Sequence, residues 1–363
     1  MPAPAWLPVR AELRNAEPYG APQLDVPVRL NTNENPYGPG AEVAADMATA
    51  VQQVAGALNR YPDRDAYALR ADLASYLAAD AGRVLDYTQV WAANGSNEVL
   101  LQLMLAFGGP GRTAVSFAPT YSMYPEYARD SFTRWVTGHR ADDFSLDLPA
   151  ALELIAAEAP SLVLLTSPNN PTGTSLPLEQ VLAVLEVTPG LVVVDEAYAE
   201  FRRAGVPSAA SLLPEHRRLV VTRTMSKAFA LAGGRLGYLA ADPAVVDALR
   251  VVRLPYHLSA VTQEVARVAL RHADKLLGEV ARLRTSRDEL VQALRALGLQ
   301  AADSDANFVL FGTFPDRHAT WLGLLDSGVL VRETGPDGWL RVSVGTPAEM
   351  TAFLEALRKV LDR

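Results

Sequence analysis

The chain of 363 residues contains no cysteine, which excludes disulfide cross-links, thiolate nucleophiles and cysteine-bound zinc. Lysine is almost as scarce: of 33 basic side chains, only Lys227, Lys275 and Lys359 are lysines. The net charge of −8 argues against a nucleic-acid partner, because affinity for a phosphate backbone comes from clustered Lys and Arg. No apolar run approaches the roughly 18 residues that a membrane span requires. The opening MPAPAWLPVR also lacks the basic start and apolar stretch of a secretory signal, so a cytoplasmic protein without a membrane partner is expected. The five histidines, His139, His216, His257, His272 and His318, show no ligand spacing, and no metal is expected. The patterns GxxxxGK[ST], HExxH and GxSxG are missing as well, which sets aside three common hydrolytic chemistries.

What the chain does have is 49% hydrophobic and 20% charged residues, enough for one large core and a smaller satellite. Short leucine- and valine-rich runs at Leu162 to Thr166, Leu191 to Val194, Leu219 to Thr222 and Leu236 to Ala240 read as strands buried on both faces. Helical spacing lies between and before them, as at Ser96 to Phe107 and Leu178 to Leu185. This alternation predicts an α/β fold with a mostly parallel, doubly wound sheet. From Val261 to Leu297 the pattern changes to one or two long amphipathic helices, preceded by a connecting segment near Leu254 to Ser259. Beyond it, strand-like NFVLFGT, VLVRET and WLRVSVGT alternate with two helical stretches, which predicts a smaller α+β domain. The expected division is an arm over residues 1–30 packing with the small domain, a large domain over 31–250 and a small domain over 251–363.

Three of the expected strands run into polar clusters, SPNNPTG after Thr166, DEAY after Val194 and RTMSKAF after Thr222. In an open parallel sheet such ends face one crevice, so Asn170, Asp195, Tyr198, Ser226 and Lys227 are expected to converge there. An acid directly after LVVV is costly unless a cation compensates it. Asp195 is therefore either a structural ion pair or cap, or the partner of a protonated ring nitrogen such as that of pyridoxal phosphate. Such chemistry needs a lysine amine kept partly neutral by its site. Lys275 and Lys359 sit on amphipathic helices among charged neighbours, which leaves Lys227. A phosphate could rest on the helix start at NGSNE, with Gly95, Ser96 and Asn97 as its cradle and Ser226 and Arg235 assisting, although NGSNE on its own reads first as a plain helix cap.

These residues resemble the fold-type I pyridoxal-phosphate aminotransferases over nearly the whole chain, and within them the histidinol-phosphate branch. TMSKAFALAG at Thr224 to Gly233, followed by Arg235, is similar to the family's class II lysine signature. SPNNPTG, DEAYAEF and APTYSMY resemble its cofactor-ring motifs, while LNTNENPYGP and NRYPD are similar to the histidinol-phosphate branch in particular. The resemblance implies that Lys227 carries pyridoxal 5'-phosphate, Asp195 holds its ring nitrogen, Tyr121 stacks on the ring, and Asn170 and Tyr198 bind its phenolic oxygen. It adds Thr224 to the cofactor site, and has Tyr61 reach the phosphate in the neighbouring subunit of a homodimer. Tyr19, Asn33, Arg332 and Arg341 are implied as substrate ligands; for the two arginines, pairing with acids in edge strands is the alternative reading. The implied reaction is a ping-pong transamination between L-histidinol phosphate and 2-oxoglutarate that yields imidazole-acetol phosphate and L-glutamate in histidine biosynthesis. An aromatic amino-acid aminotransferase or a threonine-phosphate decarboxylase would reuse the same cofactor residues. Two positions depart from the family pattern, with Asn97 where an aspartate is usual and Gly234 where a larger residue is usual.

Overall fold

The computed structural model describes Pro4 and residues 6–362; residues 1–3 and 5 of the expected arm lie outside the described residues. Twelve strands occur among these residues: β1 (Val28–Arg29), β2 (Val90–Ala93), β3 (Thr113–Ala118), β4 (Arg134–His139), β5 (Leu162–Thr166), β6 (Leu191–Asp195), β7 (Leu219–Thr224), β8 (Gly237–Ala241), β9 (Gln300–Ala301), β10 (Phe308–Gly312), β11 (Val329–Leu330) and β12 (Leu340–Ser343). Seven of them form the main sheet in the order β2-β8-β7-β6-β5-β3-β4. β8 runs antiparallel to both of its neighbours, and the other pairings are parallel.

The central strands are apolar on both faces because helices cover both. Side chains alternate across a strand, so Val163, Leu165, Val192, Val194, Leu219 and Val221 enter one core. Leu162, Leu164, Leu191, Val193 and Val220 enter the other, with Trp91, Val99, Leu103, Tyr124 and Tyr127. The helix Ser96–Phe107 follows β2, the helix Tyr124–Asp130 follows β3, and the helix Leu178–Val187 links β5 to β6. Every parallel strand therefore ends at the same edge of the sheet, which becomes the floor of the candidate site.

The C-terminal part is an α+β layer. β12-β10-β9 form an antiparallel sheet, flanked by the helices Ala273–Ala296, Arg317–Asp326 and Pro347–Leu361. The last of these starts with a reciprocal Thr346–Glu349 capping box and a proline in its first turn. The long amphipathic stretch resolves into two helices, Ala260–Arg271 and Ala273–Ala296. The first of these packs on the helices Ala41–Ala55 and Tyr67–Ala81. One expectation needs correcting. Of the strand-like VLVRET only Val329–Leu330 is a strand, and it pairs in parallel with β1. The backbone of Arg332 then bridges to Arg341. The strand expected at Leu236 to Ala240 is shifted by one residue, to Gly237–Ala241.

Beside the main sheet lies a buried charge cluster. Arg223, 1% exposed, donates to Glu196 at 2.8 Å, Glu200 at 3.1 Å and Asp80 at 2.6 Å. Glu196 also accepts from the Ser208 hydroxyl and the Ala209 amide, both at 2.7 Å. Removing Arg223 would leave Glu200 without its cation and Glu196 and Asp80 with Arg202 alone, at 3.6 Å and 3.1 Å. Arg223→Met is expected to destabilise the fold by about 3–5 kcal/mol in denaturant titration. Adding Glu196→Gln should recover part of that loss, and an unchanged midpoint for the single variant would contradict the role given to this cluster.

Candidate active site

The register of three parallel strands creates the floor of the site. Thr166 of β5 stands opposite Asp195 of β6, and Asp195 stands opposite Thr222 of β7, so three oxygen-bearing side chains share one row and one face. Asp195 is 3% exposed. Its Oδ1 accepts from the Thr222 hydroxyl at 3.1 Å and the Ala197 amide at 3.2 Å, and its Oδ2 accepts from the Tyr124 hydroxyl at 2.8 Å. Burial pushes this carboxyl upward from its ordinary pKa, against the hydrogen bonds from Tyr124, Thr222 and Ala197, which lower it. Among the described residues no cation lies within ion-pair distance of Asp195, which removes the structural ion pair as its explanation.

Above the floor is a cavity of about 260 Å³, into which the loops after β2, β3, β5, β6 and β7 all project. Lys227 enters from the loop after β7, and its Nζ donates to the Thr32 carbonyl at 2.9 Å. Burial first, and then the Arg341 and Arg235 cations, bring its pKa down to about 8 against the opposing pull of Glu34. A lysine in this state is neutral often enough near pH 8 to act as nucleophile and base.

One end of the cavity suits a phosphate. Ser96 and Asn97 line it at the start of the helix Ser96–Phe107, where the first amides have no intrahelical acceptor. The turn is also capped: Gly95 offers no side-chain cap, and Glu98 bends back to accept from the Asn94 amide at 2.6 Å and from its Nδ2 at 2.7 Å. Gly95 has φ +84° and lies behind Arg235, whose Nη2 would be 2.5 Å from a Cβ at that position. Gly237 allows an equally close approach, since a Cβ there would lie 2.1 Å from the Ser96 nitrogen. Arg235 Nη1 contacts the Ser226 hydroxyl at 3.4 Å and donates to the Ala232 carbonyl at 3.0 Å. Thr224 lines the same end and fixes the loop, accepting from the Ser226 amide and donating to the Leu236 carbonyl.

The opposite wall comes from residues distant in sequence. Arg341, 7% exposed, donates to Asn170 Oδ1 at 2.5 Å and to the Asn31 carbonyl at 2.9 Å. This occupies the amide oxygen of Asn170 and leaves its Nδ2 as a donor toward the cavity. Asn33 Nδ2 donates to the Tyr198 hydroxyl at 2.9 Å, while Ser343 and Asn307 hold Asn33 itself. At the mouth, Arg332 donates to the Gly20 carbonyl, and the Tyr19 hydroxyl lies 3.0 Å from Ser122 Oγ. Neither Arg332 nor Arg341 is paired with an acid among the described residues; both line the cavity, with Lys227 and Arg235 as two further cations.

Of the residues expected from the sequence, fourteen line this cavity, including Tyr121, whose hydroxyl donates to Asn97 Oδ1 at 3.2 Å. Gly95 sits behind it. Tyr61 is elsewhere on the same chain, 80% exposed and stacked on Tyr256 at 4.4 Å. Tyr124, Thr166 and Thr222 around Asp195, and the Thr32 carbonyl that receives Lys227, are not among the residues expected from the sequence. The i, i+3 spacing of tyrosines in YSMY was the one available sign of Tyr124.

The donor set fits pyridoxal phosphate: a buried anion awaiting a cation, a partly neutral lysine, and a glycine-lined helix start beside an arginine and a serine. The chain matches the family described as aminotransferase class I and II over residues 26–357. It is 59% identical over 355 residues to histidinol-phosphate aminotransferase 3 of Burkholderia lata, covering 98% of this chain and 96% of the relative. It is 61% identical over 357 residues to the histidinol-phosphate aminotransferase of Thermobifida fusca, again 98% of this chain and 96% of the relative. The crystal structure of histidinol-phosphate aminotransferase from Sinorhizobium meliloti in complex with pyridoxal-5'-phosphate is similar, with TM-score 0.82 and 28% identity over 93% of this chain and 91% of that one. By the family match along most of its length and by this degree of identity, the chain belongs to the class I and II aminotransferases.

Proposed function

We infer that the chain is a pyridoxal-phosphate-dependent histidinol-phosphate transaminase (EC 2.6.1.9), which exchanges the amino group between L-histidinol phosphate and 2-oxoglutarate to give imidazole-acetol phosphate and L-glutamate in L-histidine biosynthesis. The observation that carries this is the coincidence of near full-length similarity with a cavity holding Lys227, a buried Asp195 and three arginines without an acid partner among the described residues. When bound, pyridoxal phosphate supplies an aldehyde that takes up the amino group and a ring that accepts the electrons released at the substrate carbon.

Lys227 Nζ takes the proton from the amine-bearing carbon and returns it on the opposite side of the transfer. Asp195 keeps a proton on the ring nitrogen by placing a buried negative charge against it. Tyr121 stacks on the ring, and Asn170 Nδ2 and the Tyr198 hydroxyl bind the phenolic oxygen. Ser96, Asn97, Ser226 and Arg235 hold the phosphate, with Gly95 and Thr224 shaping that end. Arg341, Arg332, Tyr19 and Asn33 receive the phosphate of one substrate and the carboxylate of the other in turn, since a guanidinium fork matches both anions. The site is completed by a homodimer in which Tyr61 of each subunit reaches the neighbouring cofactor phosphate. The exposure of Leu58, Tyr61, Tyr67, Val251, Leu254 and Tyr256 on two nearby segments supports this assembly. The domain division 1–30, 31–250 and 251–363 and a cytoplasmic location belong to the same proposal. No helix among the described residues is long and apolar enough to cross a membrane.

Lys227→Ala should abolish turnover of histidinol phosphate, and near-normal activity in this variant would end the assignment. A spectral titration of loaded protein should show the visible band lost with both histidinol phosphate and glutamate; conversion only by phenylalanine and glutamate would move the donor to the aromatic class. Arg341→Gln should lower kcat/KM for glutamate by roughly 10- to 100-fold through the loss of charge-assisted hydrogen bonds.

Lys227 also predicts a stability effect in the cofactor-free protein. Its folded pKa of about 8 lies below the ordinary 10.5, so the unfolded chain binds the extra proton between these values. Stability should rise with pH across that window, and Lys227→Met should remove the rise. At pH 7 the variant should be more stable by about 1–3 kcal/mol, measured by denaturant titration of both proteins without cofactor.

A further inference from the structure

The row Thr166, Asp195, Thr222 does not hold the carboxylate alone. Tyr124, the first residue of the helix Tyr124–Asp130, is completely buried, and its hydroxyl lies 2.8 Å from Asp195 Oδ2 and 2.7 Å from Thr166 Oγ1. Thr166 Oγ1 lies in turn 3.2 Å from Thr120 Oγ1, at the cavity wall. Each hydroxyl has one proton to give, and an ionised carboxylate can only accept. The chain of bonds therefore runs in one direction, from Thr120 to Thr166 to Tyr124 to Asp195. The same tyrosine ring meets Tyr121 edge-on, with centroids 5.5 Å apart and planes at 87°. One buried side chain thus touches both the carboxylate and the aromatic ring that the proposed function assigns to the two grips on the cofactor ring.

We propose that Tyr124 is a positioning residue for the transamination, fixing the rotamer of Asp195 through Oδ2 and the tilt of Tyr121 through its ring edge. The proposal rests on the functional reading above for its catalytic consequence, but its structural part does not depend on a cofactor. Without the Tyr124 hydroxyl, Oδ2 loses the one donor it has among the described residues, while Oδ1 keeps Thr222 and the Ala197 amide. Other ionisable groups coupled to Asp195 and Tyr124 are Glu196, which adds negative charge, and the un-ionised Tyr121, Tyr127 and Tyr198. None of these replaces the lost donor. Asp195 then becomes harder to ionise and freer to rotate, and a bound ring nitrogen would be protonated less completely.

Tyr124→Phe keeps the ring, its packing and its contact with Tyr121, and removes only the hydroxyl. The carboxyl band of Asp195 can be followed by infrared titration of the cofactor-free protein, with Asp195→Asn as the blank. Its midpoint should move upward by about one pH unit or more in Tyr124→Phe, and by less in Thr166→Val, which weakens the relay one bond further out. In loaded enzyme, Tyr124→Phe should lower kcat roughly tenfold with little change in KM for histidinol phosphate, and should move the acid limb of the pH profile in the same direction as the infrared midpoint. Tyr124→Leu should reproduce these shifts and also disturb the Tyr121 ring, read as a further loss of cofactor affinity. An unchanged infrared midpoint in Tyr124→Phe would overturn the proposal whatever the cofactor. Failure of the wild-type protein to bind pyridoxal phosphate would overturn the functional reading instead, and would leave the titration result standing.

Discussion

Asp195 is 3% exposed, has no cation in ion-pair contact among the described residues, and is stabilised by hydrogen bonds from Tyr124, Thr222 and Ala197. A carboxylate in that position is costly in the fold on its own terms. The surrounding structure is arranged to tolerate it: three parallel strands supply the row of hydroxyl and carboxyl groups, two apolar cores hold those strands in register, and the helix Tyr124–Asp130 closes the far side. The unmatched charge is the feature of the site that suits the cationic ring nitrogen proposed above.

The opposite sign of imbalance lines the rest of the cavity. Lys227, Arg235, Arg332 and Arg341 face one space without acids in ion-pair contact, and the burial that lowers Lys227 to about 8 also lowers Arg341 to about 10. Beside the sheet, by contrast, buried Arg223 is paired with Glu196, Glu200 and Asp80. The contrast is between a buried cation whose acids are present, as at Arg223, and cavity cations that have none in contact, which suits the anions of the cofactor and substrates proposed above.

Much of this was legible in the sequence because each signal was local. The β5 and β6 runs sit among buried apolar residues on both faces, so their composition alone marked them as central strands. TMSKAF and SPNNPTG lie in single loops, and their residues reach the cavity because the loops follow strand ends. β3 and β4 were harder to read, since Ser116 interrupts one and β4 carries Arg134, Thr137 and His139 on exposed or half-buried positions. VLVRET has the composition of a strand, but its partner is the two-residue β1, some 300 positions away in sequence, and the pairing ends after Leu330. Tyr124 carried no sign of its contact with Asp195 beyond its spacing from Tyr121, because a buried tyrosine is ordinarily core.

The sequence by itself determined the chemistry available: one lysine outside the amphipathic helices, an acid at the end of a valine strand, a glycine-serine helix start, and no cysteine to offer another route. Only the tertiary structure decided which groups meet. That Thr166, Asp195 and Thr222 share a row follows from inter-strand register, and that Arg341 orients Asn170, or Asn33 reaches Tyr198, follows from packing between segments 165 or more residues apart. Contacts of this kind depend on how whole elements dock, and a periodicity of two or of 3.6 residues describes each element without saying which neighbour it will meet.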